Sequence, residues 1–276
     1  MATPIVLEVS HLSAPPRLRS GVSFTLREGE RLCVYGYSGA GKTTLLRALL
    51  GLAPRRGGVL WHVSRQHAGY AAQRPRLVPR ATVLQQTLWC AQLHDVSLSP
   101  HGSRVYELLE QFGLSDQRQQ RVGSLSPGER VKLELCCAMA VATRLLVVDG
   151  LLELLDDATR RRFWEEVDAR CARRELALLY ATASAREAEL ADRVLMLHKG
   201  RMVALETPDR LRRHVGPEEL HLQRADRALA SRQVQVYVPA GREGWRRGVA
   251  PEELLLQRVP TLEEVLEVLS RQGEGR

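Results

Sequence analysis

Aromatic side chains are scarce: three phenylalanines, six tyrosines and four tryptophans make up 5% of the 276 residues. They do not interleave with basic residues in the pattern that stacks on nucleic-acid bases, so no nucleic-acid partner is expected. The five cysteines (Cys33, Cys90, Cys136, Cys137 and Cys171) show no CxxC spacing and lie inside apolar patterns, so they read as reduced core residues. No uncharged apolar run approaches 18 residues, which excludes a membrane-crossing helix within this sequence. The opening MATPIVLEVS alternates toward a strand and lacks the basic start and continuous apolar run of a signal peptide. The expected location is therefore cytoplasmic, with a membrane surface as the other possibility.

What is present is enough for a substantial core, with 44% hydrophobic and 26% charged residues in one full domain plus something smaller. The net charge of +8 is compatible with an anionic partner and equally with an arginine-rich coding bias. Its arginines are scattered or sit on helical faces, as at Arg160, Arg161, Arg162, Arg173 and Arg174.

The strongest local pattern is RLCVYGYSGAGKTTLLRALLGL, Arg31 to Leu52. An apolar run, Leu32 to Tyr35, meets Gly36, and Gly36-x4-Gly41-Lys42-Thr43 then opens an amphipathic helix, the context a P-loop requires. Glycines let backbone N–H groups wrap a polyphosphate, and the helix start adds its positive end. Gly36, Ser38, Gly39, Gly41, Lys42, Thr43 and Thr44 are the candidate nucleotide-binding residues, with Lys42 reaching the β- and γ-phosphates and the Thr43 hydroxyl on Mg²⁺.

Downstream lie GYAAQRPRLVPRATV (Gly69 to Val83), VGSLSPGERVKLELCCAMA (Val122 to Ala140) and RLLVVDGLLELLD (Arg144 to Asp156). In this order the motifs from Ile5 to about Arg210 resemble the nucleotide-binding subunit of ABC transporters. The resemblance implies an α/β P-loop NTPase fold with an antiparallel β-subdomain and a helical arm over about 82–142. It ends near residue 210, leaving 211–276 as a small α/β extension in which QVQVYV and Leu254–Gln257 read as strands. Strands are also expected at Ile5–Ser10, Val22–Leu26, Leu32–Tyr35, Leu145–Asp149, Leu176–Ala181 and Arg193–Leu197. The tail PEELLLQRVPTLEEVLEVLS (Pro251 to Ser270) and the spacer VYELLEQFGLSDQRQQRVGSLS resemble the drug- or polysaccharide-exporter branch. Thr261 there is also an ordinary helix N-cap, and Leu262, Val265, Leu266 and Leu269 make an apolar face.

By the same resemblance ATP and Mg²⁺ are held by the P-loop with Thr43, Gln73 and Asp149, Asp156 closes a D-loop, and Ser126, Gly128 and Glu129 of the signature face ATP on a partner subunit. Ser126-Pro127-Gly128-Glu129 is also a capping-box helix start, in which Pro127 removes one N–H donor. Three positions depart from the family. Gly150 stands where relatives carry the glutamate that polarises water, a loss of about 10²–10⁴ in rate for a missing general base. Glu153 offers a carboxylate only three residues farther into the loop. Ala183 follows Thr182 in LALLYATASAREAELADRVLML where relatives carry histidine, and SHLSAPPRLRSG offers no aromatic to stack on adenine. The expectation is an ATP-binding transporter subunit with weak or absent hydrolysis, working with an intact second ATPase subunit and separate membrane-spanning permease chains. It would sit peripherally on the cytoplasmic face. A regulatory pseudo-ATPase is the alternative, and a soluble ribosome- or DNA-acting relative fits less well because there is one cassette and no long insertion.

Overall fold

The computed structural model describes residues 3–93, 98–213, 218–221, 255–258 and 260–274. The chain divides into two compact units, Met1–Glu206 and Thr207–Arg276.

The first unit opens with β1 (Ile5–Ala14) and β2 (Leu18–Arg27), paired antiparallel from Ile5↔Arg27 to Ala14↔Leu18. Apolar residues at alternating positions, Val22, Phe24 and Leu26 in β2, turn one face inward. Next come β3 (Arg31–Tyr35), α1 (Lys42–Leu49), β4 (Arg56–Trp61) and β5 (Ala68–Ala71). β4 completes a three-stranded antiparallel sheet in the order β2-β1-β4. This is the expected β-subdomain, with strands reaching farther than the sequence pattern suggested.

A helical arm follows: α2 (Val83–Gln92), α3 (Leu98–Gln111) and α4 (Pro127–Val141). Both α2 and α4 start with complete capping boxes, Thr82 with Gln85 and Ser126 with Glu129, which satisfy donors that a helix end otherwise leaves open. Pro127 occupies the first turn, where its missing N–H is harmless to the helix.

The chain then returns to the centre through β6 (Leu145–Asp149), α5 (Asp157–Ala172), β7 (Ala177–Thr182), the short α6 (Ala185–Ala188), β8 (Arg193–His198) and β9 (Arg201–Glu206). The resulting six-stranded sheet has the order β5-β6-β7-β3-β8-β9, parallel except for the antiparallel β9. β6 and β7 are buried along their whole lengths, hence their near-continuous Leu, Val and Ala sequences. Register places Asp149 beside Ala181 and Tyr35 beside Thr182, so the P-loop, Asp149 and the end of β7 gather at the carboxyl edge of the sheet. In open α/β sheets that edge is where ligands bind. One core joins both sheets through α1, running from Val6 and Leu7 through Leu45, Leu46 and Leu49 to Leu195 and Leu197.

In the second unit, α7 (Pro208–Arg213), the antiparallel pair β10 (Glu218–His221) and β11 (Leu255–Arg258), and α8 (Leu262–Glu274) are described. β11 falls on the expected Leu254–Gln257 segment, whereas QVQVYV lies outside the described residues. Thr261 and Glu264 form a capping box at α8, and Leu262, Val265 and Leu266 are buried.

Candidate nucleotide-binding site

The loop between β3 and α1 is held open at its end by Gly41, whose φ of 107° lies in the left-handed region that side chains avoid. Unlike α2 and α4, α1 has no side-chain cap on its first turn, so its leading N–H groups at Lys42, Thr43 and Thr44 are left for an anion. Ser38 and Gly39 are exposed at the loop tip. Lys42 is half-buried and turns back into the loop, its Nζ donating to the carbonyls of Gly36 at 2.5 Å and Tyr37 at 3.1 Å. Burial lowers its pKa, while the carboxylates of Glu153 and then Asp149 act in the opposite sense. A cationic amine inside an amide-lined loop fits a polyphosphate.

Asp149 ends β6, 2% exposed, and burial raises its pKa against the hydrogen bonds it accepts. Thr43 Oγ1 donates to Asp149 Oδ1 at 2.9 Å, and Tyr70 OH donates to Oδ2 at 3.3 Å. The hydroxyl and carboxylate expected to serve one divalent cation therefore already touch. Gln73 reaches the same place, since a Cβ added to Gly150 would lie 3.3 Å from Gln73 Nε2. Tyr70 is a site residue that the sequence reading missed. Its only signal was its position three residues before Gln73.

Gly150 has φ +60° and donates its N–H to the Ala181 carbonyl at 3.0 Å. That conformation turns the chain into a 3₁₀ turn at Leu152–Leu154, which carries Glu153 back across the end of β7. Glu153 Oε1 accepts hydrogen bonds from Thr182 Oγ1 at 2.6 Å and from Ala183 N at 2.7 Å. The position that Ala183 left without a polar side chain is thus served by a carboxylate from the neighbouring loop. Separation along the sequence made Glu153 look remote, and the turn removes that separation.

The signature residues occupy the exposed start of α4. Ser126 Oγ accepts from Glu129 N at 3.3 Å and Glu129 Oε2 accepts from Ser126 N at 2.7 Å, while Gly128 has no neighbour within 4 Å of an added Cβ. The Ser126 hydrogen bond holds Glu129 below its usual carboxylate range. Asp156 caps α5 by accepting from Thr159 N and Thr159 Oγ1, each at 2.8 Å, and pairs with Lys132 of α4 at 2.8 Å. Lys132 first, then the cap, holds Asp156 far below its ordinary value.

Residues 19–152 match the family model for the ABC transporter. The Fe(3+) ions import ATP-binding protein FbpC of Streptomyces coelicolor is 34% identical over 197 residues, which is 68% of this chain and 57% of that protein. The lipoprotein-releasing system ATP-binding protein LolD of Legionella pneumophila is 28% identical over 201 residues, 67% of this chain and 88% of that one. A solved ATP-binding subunit of an ABC transporter superposes with a TM-score of 0.70 at 25% identity, covering 76% of this chain and 93% of that chain. Residues 19–152 therefore match the ABC transporter family, and the fold is that of its ATP-binding domain. The chain spans little more than half the length of its iron-import relative.

Proposed function

We propose that this chain is the ATP-binding subunit of a membrane transporter, holding ATP with Mg²⁺ and hydrolysing it weakly at its own site. The observation that carries the reading is the joining of an assembled cradle, Lys42 in its loop and Thr43 on Asp149, to a strand tip whose first residue is Gly150. Lys42 and the open first turn of α1 would hold the phosphates, while Thr43, Asp149 and Gln73 would hold the metal, which neutralises phosphate charge when bound. Gly150 offers no group to orient the attacking water. A symmetric pair would repeat that deficit twice, so a second, catalytically intact ATPase subunit is the fitting partner. Ser126, Gly128 and Glu129 would face that partner's nucleotide from the α4 terminus, and Asp156 would lie beside them. Separate permease chains would supply the membrane path and hold the subunit on the cytoplasmic face.

Residues 1–210 are read as the ATP-binding cassette and 211–276 as an extension. The exporter direction rests on the tail motif, since the relatives named above include both an iron importer and a lipoprotein-releasing system. Single-turnover measurement on the purified chain tests the core of the reading. ATP is expected to bind and remain intact for many minutes, and Lys42→Ala is expected to abolish binding. Cleavage within seconds that depends on Lys42 sinks the weak-hydrolysis reading, and binding unaffected by Lys42→Ala sinks the site.

A further inference from the structure

We propose that Glu153 is a specificity-determining residue of the nucleotide site, a built-in anion that occupies the terminal-phosphate end of the cradle and selects against a triphosphate relative to a diphosphate. The inference rests on the ATP-binding reading above and goes beyond it by saying what the degenerate site prefers.

Three observations place the carboxylate there. Glu153 Oε1 is held by the Thr182 hydroxyl and the Ala183 N–H at 2.6 and 2.7 Å, at the carboxyl end of the strand neighbouring both β3 and β6. A hydroxyl and a backbone N–H converging on one oxygen are the donors that a phosphoryl oxygen would otherwise take. Among carboxylates Glu153 contributes most to keeping Lys42 charged, ahead of Asp149. Lys42 is in turn the residue that a P-loop aims at the β- and γ-phosphates. Finally, the hydrogen bonds to Glu153 among the described residues both fall on Oε1, so the carboxylate is anchored by one oxygen.

A diphosphate ends before this region, whereas a triphosphate places its terminal phosphate, itself carrying roughly two negative charges, close to a fixed carboxylate. Two like charges a few ångströms apart at a protein surface oppose each other strongly, by Coulomb's law at an effective dielectric of about 20. For a triphosphate to seat fully, the Glu153 side chain must release Thr182 and Ala183 and swing away. The diphosphate needs no such release.

The test is equilibrium binding of ATP and ADP, each with Mg²⁺, to the full chain and to Glu153→Gln. The amide keeps an oxygen for Thr182 and Ala183 and removes only the charge. The expected result is a gain in ATP affinity of about 10-fold or more, with ADP affinity changed by less than about 2-fold. In the unmodified chain the ATP-to-ADP ratio should rise with added salt, because exposed charges are screened over about 10 Å at 0.1 M ionic strength. Equal shifts for both nucleotides, or none, overturn the proposal. So does loss of single-turnover cleavage in Glu153→Gln with unchanged affinities, which would make Glu153 the water-activating base. If the folded, unmodified chain binds neither nucleotide, the ATP-binding reading itself has failed and the selectivity falls with it.

Discussion

Gly150 fixes the character of the site through its backbone more than through its missing side chain. At φ +60° an L-residue is disfavoured by about 1–2 kcal/mol, and a Cβ would press on Gln73 Nε2. Gly150→Glu, which supplies the residue type found in relatives, should therefore lower unfolding free energy by about 1–2 kcal/mol and leave turnover unrestored. Chemical denaturation and single-turnover assays check both parts, and a neutral, active variant would refute the account. The sequence showed at this scale what Lys42, Thr43 and Asp149 are, because motif spacing alone aligns them. It could not show that Glu153 lands on Thr182 and Ala183. That contact depends on a left-handed residue, a 3₁₀ turn and the pairing of Asp149 with Ala181, none of which has a local sequence signal.

Among the elements, capped helices and fully buried strands were readable, as Ser126-Pro127-Gly128-Glu129 and LLVVD show. The strands β4, β5 and β9 were not, being four to six residues long and in part glycine-bearing or half-exposed. Four of the five cysteines behave as expected, with Cys33, Cys136, Cys137 and Cys171 buried and all five free. Cys90 of α2 differs. It is half-buried, its Sγ accepts a hydrogen bond from Gln86 Nε2 at 3.5 Å, and its neighbour Cys137, then this bond, brings its pKa below the ordinary thiol value. A depressed thiol pKa means the reactive thiolate appears as pH rises through that value. Iodoacetamide should thus label Cys90 first, and at lower pH than an ordinary thiol of pKa about 8.5, and Cys137→Ala should move the midpoint upward. Burial raises Cys171 to about 11, so it should stay unlabelled across the same range. Labelling of Cys171 before Cys90, or a midpoint indifferent to Cys137, would contradict this assignment.

At the level of the whole molecule, the principal core lies entirely within the first compact unit, from Val6 to Leu197. A fragment ending at Glu206 should then unfold in a single transition, with a midpoint within roughly 4 °C of the cassette transition in the full chain, the shift expected for about 1 kcal/mol. A fragment without cooperative unfolding in calorimetry would show that the extension completes the core. Between α4 of the helical arm and the cap of α5 runs the Lys132–Asp156 ion pair, with side chains 24% and 51% exposed. A pair so open to water contributes only about 0–1 kcal/mol, comparable to thermal energy. It behaves as a detent and not as a lock: the arm is seated on the central sheet by α4, buried from Leu133 to Val141 and tied by the Ala72 N–H to Glu134 Oε1 at 3.0 Å. Added salt, by screening that detent, should loosen the ion pair and leave the arm in place.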